Sequence, residues 1–546
     1  MTAAPIATLL AKAAAHLEAF RPDEAASLAR SAVEIDRTSL AGWRLLALAC
    51  EAGGDLAGAL SAYEAALALA PGDPDLLTRL GRIALELDLA GAAEGLLRQA
   101  LAARQGDTSA TCLLARALAA QARSDEAVDV LMAHLADHPD APVAWDALGV
   151  LAGDRGDLVA ARTCFTEALR LAPDFTAARF NAANLLITEG DSRSGLEALE
   201  GIPEVGLSPR ERATLVFSRA CARLRLGDLE GGWKDYAIRN DPGYPGSAEF
   251  DIPGKRWRPG APLSERKLLI VGEQGLGDEV IFGGLLPDLL SGKDRPAALA
   301  LAVEPRLTGL FQRSFPGVTV SAHTTQSVGG RRVRRLGEGW DAVDYSAWTP
   351  MADLLPVLRP DLESFRGGGD FLAADPDRIG DWRARLAGLG PELRVGLLWK
   401  SAMMSGSRGN AFAAFDAWRP VLEVPGVTFV NLQYGDCKDE VAFAWDQLGV
   451  KIRTPAGLDL KQDLEGVAAL SCALDLVVGV SNASFNLAAA CGVPAWLITA
   501  PDAWTTLGSD VYPWYPQVRL FASRRAGDWD EVFRSVAEAL AASSAG

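Results

Sequence analysis

The sequence predicts an all-α helical-repeat solenoid followed by a two-lobed α/β domain with doubly wound parallel sheets. Three observations predict it: a 34-residue self-similarity over the first 205 residues, a Pro/Gly-rich break after Asn240, and short apolar runs alternating with helical stretches beyond it. At 546 residues the chain exceeds the usual ~100–200 per domain several-fold, so more than one core is expected. Apolar residues are 49% and charged residues 23%, an ordinary globular composition. The net charge of −17 argues against a non-specific nucleic-acid binder, which needs clustered Lys and Arg to neutralise phosphates.

The repeat is read in one phase. Trp43, Ala47, Ala59, Tyr63, Ala66 and Pro71 recur as Leu77, Gly81, Ala93, Leu97, Ala100 and Gln105. Thr111, Ala115, Ala127, Leu131 and Pro139 follow, then Trp145, Gly149, Ala161, Phe165, Ala168 and Pro173. Upstream Leu9, Ala13, Ala25 and Ala32 hold the phase, and downstream Arg179, Ala183 and Leu199 hold it more weakly. The aromatic or Leu on each first helix fills a gap between helices, and the small Gly or Ala lets the second helix approach closely. Gly54-Asp55, Gly156-Asp157 and Gly190-Asp191 share one phase, where a helix stops and the next starts with an acidic cap. This is the tetratricopeptide pattern, in six units over residues 6–205. A further pair at Leu215–Leu226 and Gly232–Tyr236 reads as its cap, with capping helices assigned to 206–240. Stacked helix pairs present a continuous groove suited to a protein partner.

Residues 241–265 read as a linker, from Asp241-Pro-Gly-Tyr-Pro-Gly246 to Arg258-Pro-Gly260. Buried parallel strands are expected at Lys267–Val271, Ala298–Val303, Arg394–Trp399, Thr428–Leu432, Leu476–Val480 and Ala495–Ile498. The Gly-rich piece Phe365–Asp370 and the helix before Pro391 divide this half into lobes at 266–385 and 386–546, with a ligand between them. The basic run Arg331–Arg335 reads as a solvated loop rather than a phosphate or acceptor contact. Seven cysteines without a C-x-x-C pair read as buried thiols in a reducing compartment. With no basic n-region at the start and no run of about 18 apolar residues, a cytoplasmic protein without a membrane span is expected.

Ligands of doubly wound sheets sit at the carboxyl ends of strands, so the chemistry is sought there. The turn Gly272-Glu-Gln-Gly275-Leu-Gly277-Asp278-Glu279 follows a strand and opens a helix; Gly275 and Gly277 allow close approach to its N–H groups. Asp278 or Glu279 can serve as a general base there, or Asp278 can merely cap the helix. In the second lobe Lys400 and Ser401 follow a strand, and Arg408 lies in a polar loop nearby, each suited to a donor phosphate. Ser481, Asn482, Ser484 and Asn486 lie between another strand and a small-residue helix; they can donate to phosphate or ribose oxygens, or form only a capping cluster. Four histidines, three of them in the repeats, leave no metal-ligand spacing.

In Gly272–Asp278, Val395-Gly-Leu-Leu-Trp-Lys400, Asn431-Leu-Gln-Tyr-Gly435, Asp475–Pro494 and Trp514-Tyr-Pro516 with Gly527-Asp-Trp529, residues 266–525 resemble the GT-B glycosyltransferases. The likeness is to bacterial members related to lipopolysaccharide heptosyltransferases and carrying tetratricopeptide repeats. It implies two Rossmann-like lobes, Asp278 as acceptor base and Lys400 facing the donor phosphate. Heptosyltransferases read Asp-Thr and then His where this chain has Ser481, Asn482 and Asn486, a departure that argues against an ADP-heptose donor. The architecture also resembles the flagellin glycosyltransferases of alphaproteobacteria. That resemblance implies an inverting, metal-independent protein O-glycosyltransferase that needs no cofactor beyond its co-substrate. It would bind flagellin through the repeats and move a nonulosonic acid such as pseudaminic acid from a CMP-sugar to Ser or Thr. The alternatives are a binding module with a degenerate transferase domain and an envelope-polysaccharide transferase.

Overall fold

The protein is described by a computed structural model covering residues 3–328, 331–340, 343–365, 369–390, 392–401 and 412–544. Two compact units result: Met1–Gly153 with Asp157–Ala182 and Ser327–Arg331, and a second holding Asp154–Gly156, Ala183–Gln326 and Arg332–Gly546. Among the described residues no helix is long and apolar enough to cross a membrane.

The 34-residue period appears as successive antiparallel helix pairs, from Ala3–Glu18 with Pro22–Ile35 to Thr176–Thr188 with Ser192–Glu200. A seventh pair, Pro209–Arg225 and Leu229–Tyr236, follows as expected. The turn glycines Gly54, Gly156, Gly190 and Gly227 have φ of +76°, +79°, +101° and +81°, the left-handed region that a Cβ disfavours. The next residue caps the second helix: Asp55, Asp157, Asp191 and Asp228 accept from Gly58, Ala160, Ser194 and Gly231 N–H at 2.9, 2.9, 3.1 and 2.9 Å. The small first-helix residue has the steric role expected of it. A Cβ on Gly81 would lie 2.6 Å from Leu97 Cγ, and one on Gly149 2.6 Å from Phe165 Cε1.

The unit boundary falls inside the sixth pair rather than at residue 205, because the last repeats join the core of the C-terminal half. Gly190 packs against Pro501 and the carbonyl of Arg524, and Arg225 Nε donates to Pro501 O at 2.6 Å. Trp233 Nε1 donates to Arg359 O at 2.7 Å. One apolar cluster runs from Leu224, Trp233 and Tyr236 through Leu268, Phe282 and Leu301 to Val477, Phe485 and Leu497.

Two sheets carry that core. The strands are β1 (Ala248–Asp251), β2 (Lys267–Val271), β3 (Ala298–Val303), β4 (Thr319–Val328), β5 (Arg331–Leu336), β6 (Ala347–Pro350), β7 (Leu393–Leu398), β8 (Val427–Asn431), β9 (Leu476–Val480), β10 (Ala495–Thr499) and β11 (Val518–Ala522). The first sheet has the order β1-β5-β4-β3-β2-β6 and the second β11-β10-β9-β7-β8. β2 pairs parallel with β3 and β6, and β7 pairs parallel with β8 and β9. The six expected strands are present within a residue or two of their expected ends.

Three expectations are corrected. The linker 241–265 contains β1, which pairs parallel with β5 from Ala248↔Arg332 to Asp251↔Arg335. The basic run is that strand β5 and not a solvated loop: Arg335 pairs with Asp251 at 2.7 Å, and Arg334 is buried. All seven cysteines are free thiols, but only Cys50 and Cys164 are buried.

Where the repeats lack a turn glycine, Asp88 and Ala122 take φ of +60° and +61°. Replacing Ala122 by Gly removes about 1 kcal/mol of left-handed strain. Thermal unfolding should then rise by about 2–4 °C. Gly149→Ala should instead cost about 1–3 kcal/mol, because its methyl meets Phe165.

Candidate functional site

In the first sheet β3 and β4 run to one side of β2 and β6 lies on the other. The crevice at the carboxyl end of β2 is therefore where strand order reverses, the place a doubly wound sheet offers to a ligand. The expected glycine-rich turn occupies it and enters helix Leu276–Gly283.

Bonds from distant elements set the turn's shape. Gly272 N donates to Ala302 O at 2.7 Å, and the Arg334 guanidinium donates to Gly272 O. Glu273 accepts from Arg239 at 2.8 and 3.1 Å and from Ala352 N at 2.6 Å. Arg239 also reaches Asp353 at 2.6 Å, and Arg256 meets the same carboxylate at 2.7 Å. Burial would lower the basicity of Arg239, but Glu273 and Asp353 outweigh it and hold the guanidinium charged. Gln274 has φ +59°, a conformation that costs a residue with a Cβ about 1–2 kcal/mol. The Tyr236 hydroxyl donates to Gln274 Oε1 at 3.0 Å.

Asp278 lies at the third position of its helix, half-buried. Its Oδ2 accepts from Gly275 N at 3.0 Å, so it does not occupy the N-cap position itself but bonds back to it. Its charge reaches three tyrosines. Burial first, and the Asp278 carboxylate second, push the Tyr236 phenol well above its ordinary value. Burial raises Tyr244 to about 12 and raises Tyr512 too, with Asp278 adding to both shifts. Glu279 is placed differently. It is 1% exposed, its Oε1 is 2.8 Å from His323 Nε2, and its Oε2 accepts from Glu304 N at 2.8 Å. Arg334, whose basicity burial depresses, lies 3.6 Å from the same carboxylate. Glu279 thus braces the turn from below, against Gly272, enclosed by buried partners.

The second sheet reverses its order at β7, between β8 and β9, and this brings Lys400 and Ser481 together from distant sequence. Asn482 Nδ2 donates to Lys400 O at 3.2 Å, while its Oδ1 caps helix Ala483–Ala490 by accepting from Phe485 N at 3.0 Å. Asn486 Nδ2 donates to Asn482 O at 3.0 Å and to Ser481 Oγ at 3.5 Å. Ser484 Oγ and Asn486 Oδ1 are buried without hydrogen-bond partners among the described residues. Tyr512, fully buried, brings its hydroxyl beside Ser481 and Thr505 without hydrogen-bonding geometry to either. Orphaned buried polar atoms each cost about 1–3 kcal/mol, so three at one helix N-terminus mark a place for a polar ligand or water.

The two turns meet. A Cβ on Gly277 would lie 3.6 Å from Ala483 N and 3.7 Å from Asn486 Nδ2, ordinary van der Waals distances that put the two turns in contact. Lys400 is engaged locally: its Nζ donates to Asp436 O at 2.8 Å and pairs with Glu440. Trp399 N and Lys400 N both donate to Gln433 Oε1 at 3.0 Å. Beside it, at the carboxyl end of β8, opens a cavity of about 910 Å³ walled by Tyr434, Val441, Trp445, Ile452 and Leu458. Ser401 is half-buried near Lys400, and Arg408 lies outside the described residues. Sequence reasoning missed Tyr236, Arg239, Gln433 and Tyr512. For Tyr512 the available signal was the aromatic and proline cluster Val511-Tyr-Pro-Trp-Tyr-Pro516.

Models of the tetratricopeptide repeat match residues 40–83 and 147–203. Protein FlbA of Caulobacter vibrioides is 43% identical over 519 residues, spanning 95% of this chain and 87% of its own. Among solved structures, a tetratricopeptide repeat protein from Parabacteroides merdae is 16% identical over 44% of this chain and 94% of its own, with a TM-score of 0.37. The Thermus thermophilus protein TTC0263 is 20% identical over 33% of this chain and 99% of its own, with a TM-score of 0.29.

Arg239, 4% exposed between Glu273 and Asp353, is the costliest of these groups to remove. Arg239→Met should destabilise the second unit by about 3–5 kcal/mol, since it leaves the buried Glu273 carboxylate without a cation while Asp353 keeps Arg256 and Asn240. Denaturant titration read by tryptophan fluorescence would measure the loss.

Proposed function

The chain belongs to the family of Protein FlbA, and on that premise we propose that it is a nucleotide-sugar-dependent protein O-glycosyltransferase with a GT-B catalytic half. The donor is a CMP-linked nonulosonic acid of the pseudaminic type, and the acceptor is a Ser or Thr hydroxyl of flagellin held by the repeat solenoid. The name of the relative suggests a role linked to flagella, and tetratricopeptide proteins bind peptides or protein partners.

One observation carries the reading. Asp278, at the switch point of one sheet, follows Gly277, which meets the helix N-terminus of the other at Ala483 and Asn486; there Ser484 Oγ, Asn486 Oδ1 and the Tyr512 hydroxyl have no hydrogen-bond partner among the described residues. Asp278 takes the proton of the acceptor hydroxyl as its oxygen forms the new glycosidic bond to the anomeric carbon. The bond from that carbon to the phosphate oxygen breaks on the opposite face, and its electron pair leaves with CMP. The N-terminal amides of helix Ala483–Ala490, with Ser481 and Ser484, meet the charge growing on the departing phosphate. The cavity beside Trp445 is large enough for a nucleoside.

A second reading, a binding module without turnover, draws on Lys400, whose ammonium is paired to Glu440 instead of standing open to a donor. Titration calorimetry with CMP separates the two, because the module reading expects no nucleotide heat at all.

The decisive test is the intact mass of flagellin co-produced with this protein and a CMP-nonulosonate pathway. Wild type should add whole nonulosonic-acid increments. Asp278→Asn should lower transfer by about 10²–10⁴-fold, with flagellin still bound. Undiminished transfer by that variant removes Asp278 from the mechanism.

A further inference from the structure

Gln274 is a non-glycine residue held at φ +59° in the turn that carries Asp278, although the neighbouring position is a glycine. Such a conformation persists only where the surroundings over-determine it. On the N-terminal side Glu273 is fixed by Arg239 and Ala352 N, and on the C-terminal side Gly275 N is fixed by Asp278 Oδ2. Between these anchors the Tyr236 hydroxyl donates to Gln274 Oε1 at 3.0 Å. Tyr236 closes the last helix of the seventh pair and is itself held tightly. It is 1% exposed, with Trp504 at 5.4 Å, Phe217 at 5.7 Å and the Arg239 guanidinium 5.0 Å from its ring.

We infer that Tyr236 is a positioning residue for Asp278. Its hydroxyl holds Gln274 in the left-handed conformation, and the turn so fixed delivers the carboxylate to the cleft. The inference rests on Asp278 acting as the base in the function proposed above. Burial and the Asp278 charge keep the Tyr236 phenol protonated, so it remains a hydrogen-bond donor across the range in which a carboxylate base works. A repeat-derived helix therefore supplies a fixed part of the reacting site, as well as the surface that a protein partner would meet.

The test compares full-length wild type with Tyr236→Phe, which keeps the ring and its packing, and with Gln274→Ala. Hydrogen–deuterium exchange should become about tenfold faster over 273–279 in each variant. The double variant should be no faster than either single one, and helix Leu56–Leu69 should be unchanged. With CMP-nonulosonate and flagellin, kcat should fall about tenfold while KM for both substrates holds within about twofold. Unchanged exchange over 273–279 overturns the inference, as does faster exchange with an unaltered kcat. Undiminished turnover by Asp278→Asn would instead remove Asp278 from the mechanism proposed above, and the exchange data would still decide whether Tyr236 sets the turn.

Discussion

The C-terminal unit depends on one buried charge. Arg239 leaves the last repeat-like helix and enters a space closed on both sides by carboxylates, Glu273 from the switch-point turn and Asp353 from the segment after β6. An arginine suits this position because its planar fork donates to two acceptors at once and stays ionised when buried. Without it the turn would keep its glycines but lose the anchor that fixes where they begin. The helix pair, the first sheet and the site are consequently one cooperative body, and the apolar cluster running from Trp233 to Leu497 follows the same path.

What was legible in the sequence was whatever depends on near neighbours. The Gly-Asp turns and the acidic caps involve residues within four positions of one another, and the 34-residue phase sets partners on the adjacent helix, such as Gly81 and Leu97, so their spacing carries the structure directly. The largely buried strands β2, β3, β7, β8, β9 and β10 announced themselves as mainly apolar runs. β4 and β5 did not, because only part of each is buried: Thr319–Val328 mixes polar and apolar residues, and Arg331–Leu336 satisfies its arginines through partners far along the chain.

The site divides along the same line. Asp278 could be singled out because its turn and helix are contiguous. That Glu279, one residue on, is enclosed could not be read, since His323, Glu304 and Arg334 arrive from three separate segments. Lys400 was legible as a cation after a strand, whereas its engagement by Glu440 depends on where a helix forty residues away begins. Asn482 shows how two readings can both hold: it caps its helix through Oδ1 and ties the Lys400 backbone through Nδ2.

The pairing of β1 with β5 bears on how such a protein can evolve. A segment rich in proline and glycine between two halves normally invites recombination, since cutting there disturbs neither half. Here that segment contributes an edge strand to the sheet, and the preceding helix contributes Tyr236 and Arg239 to the turn. A crossover within it would leave the C-terminal half without its border strand and its anchor. Descendants with a new partner preference are therefore expected to arise by exchange of the earlier repeats, while the last pairs and the strand travel with the sheets as an inherited block.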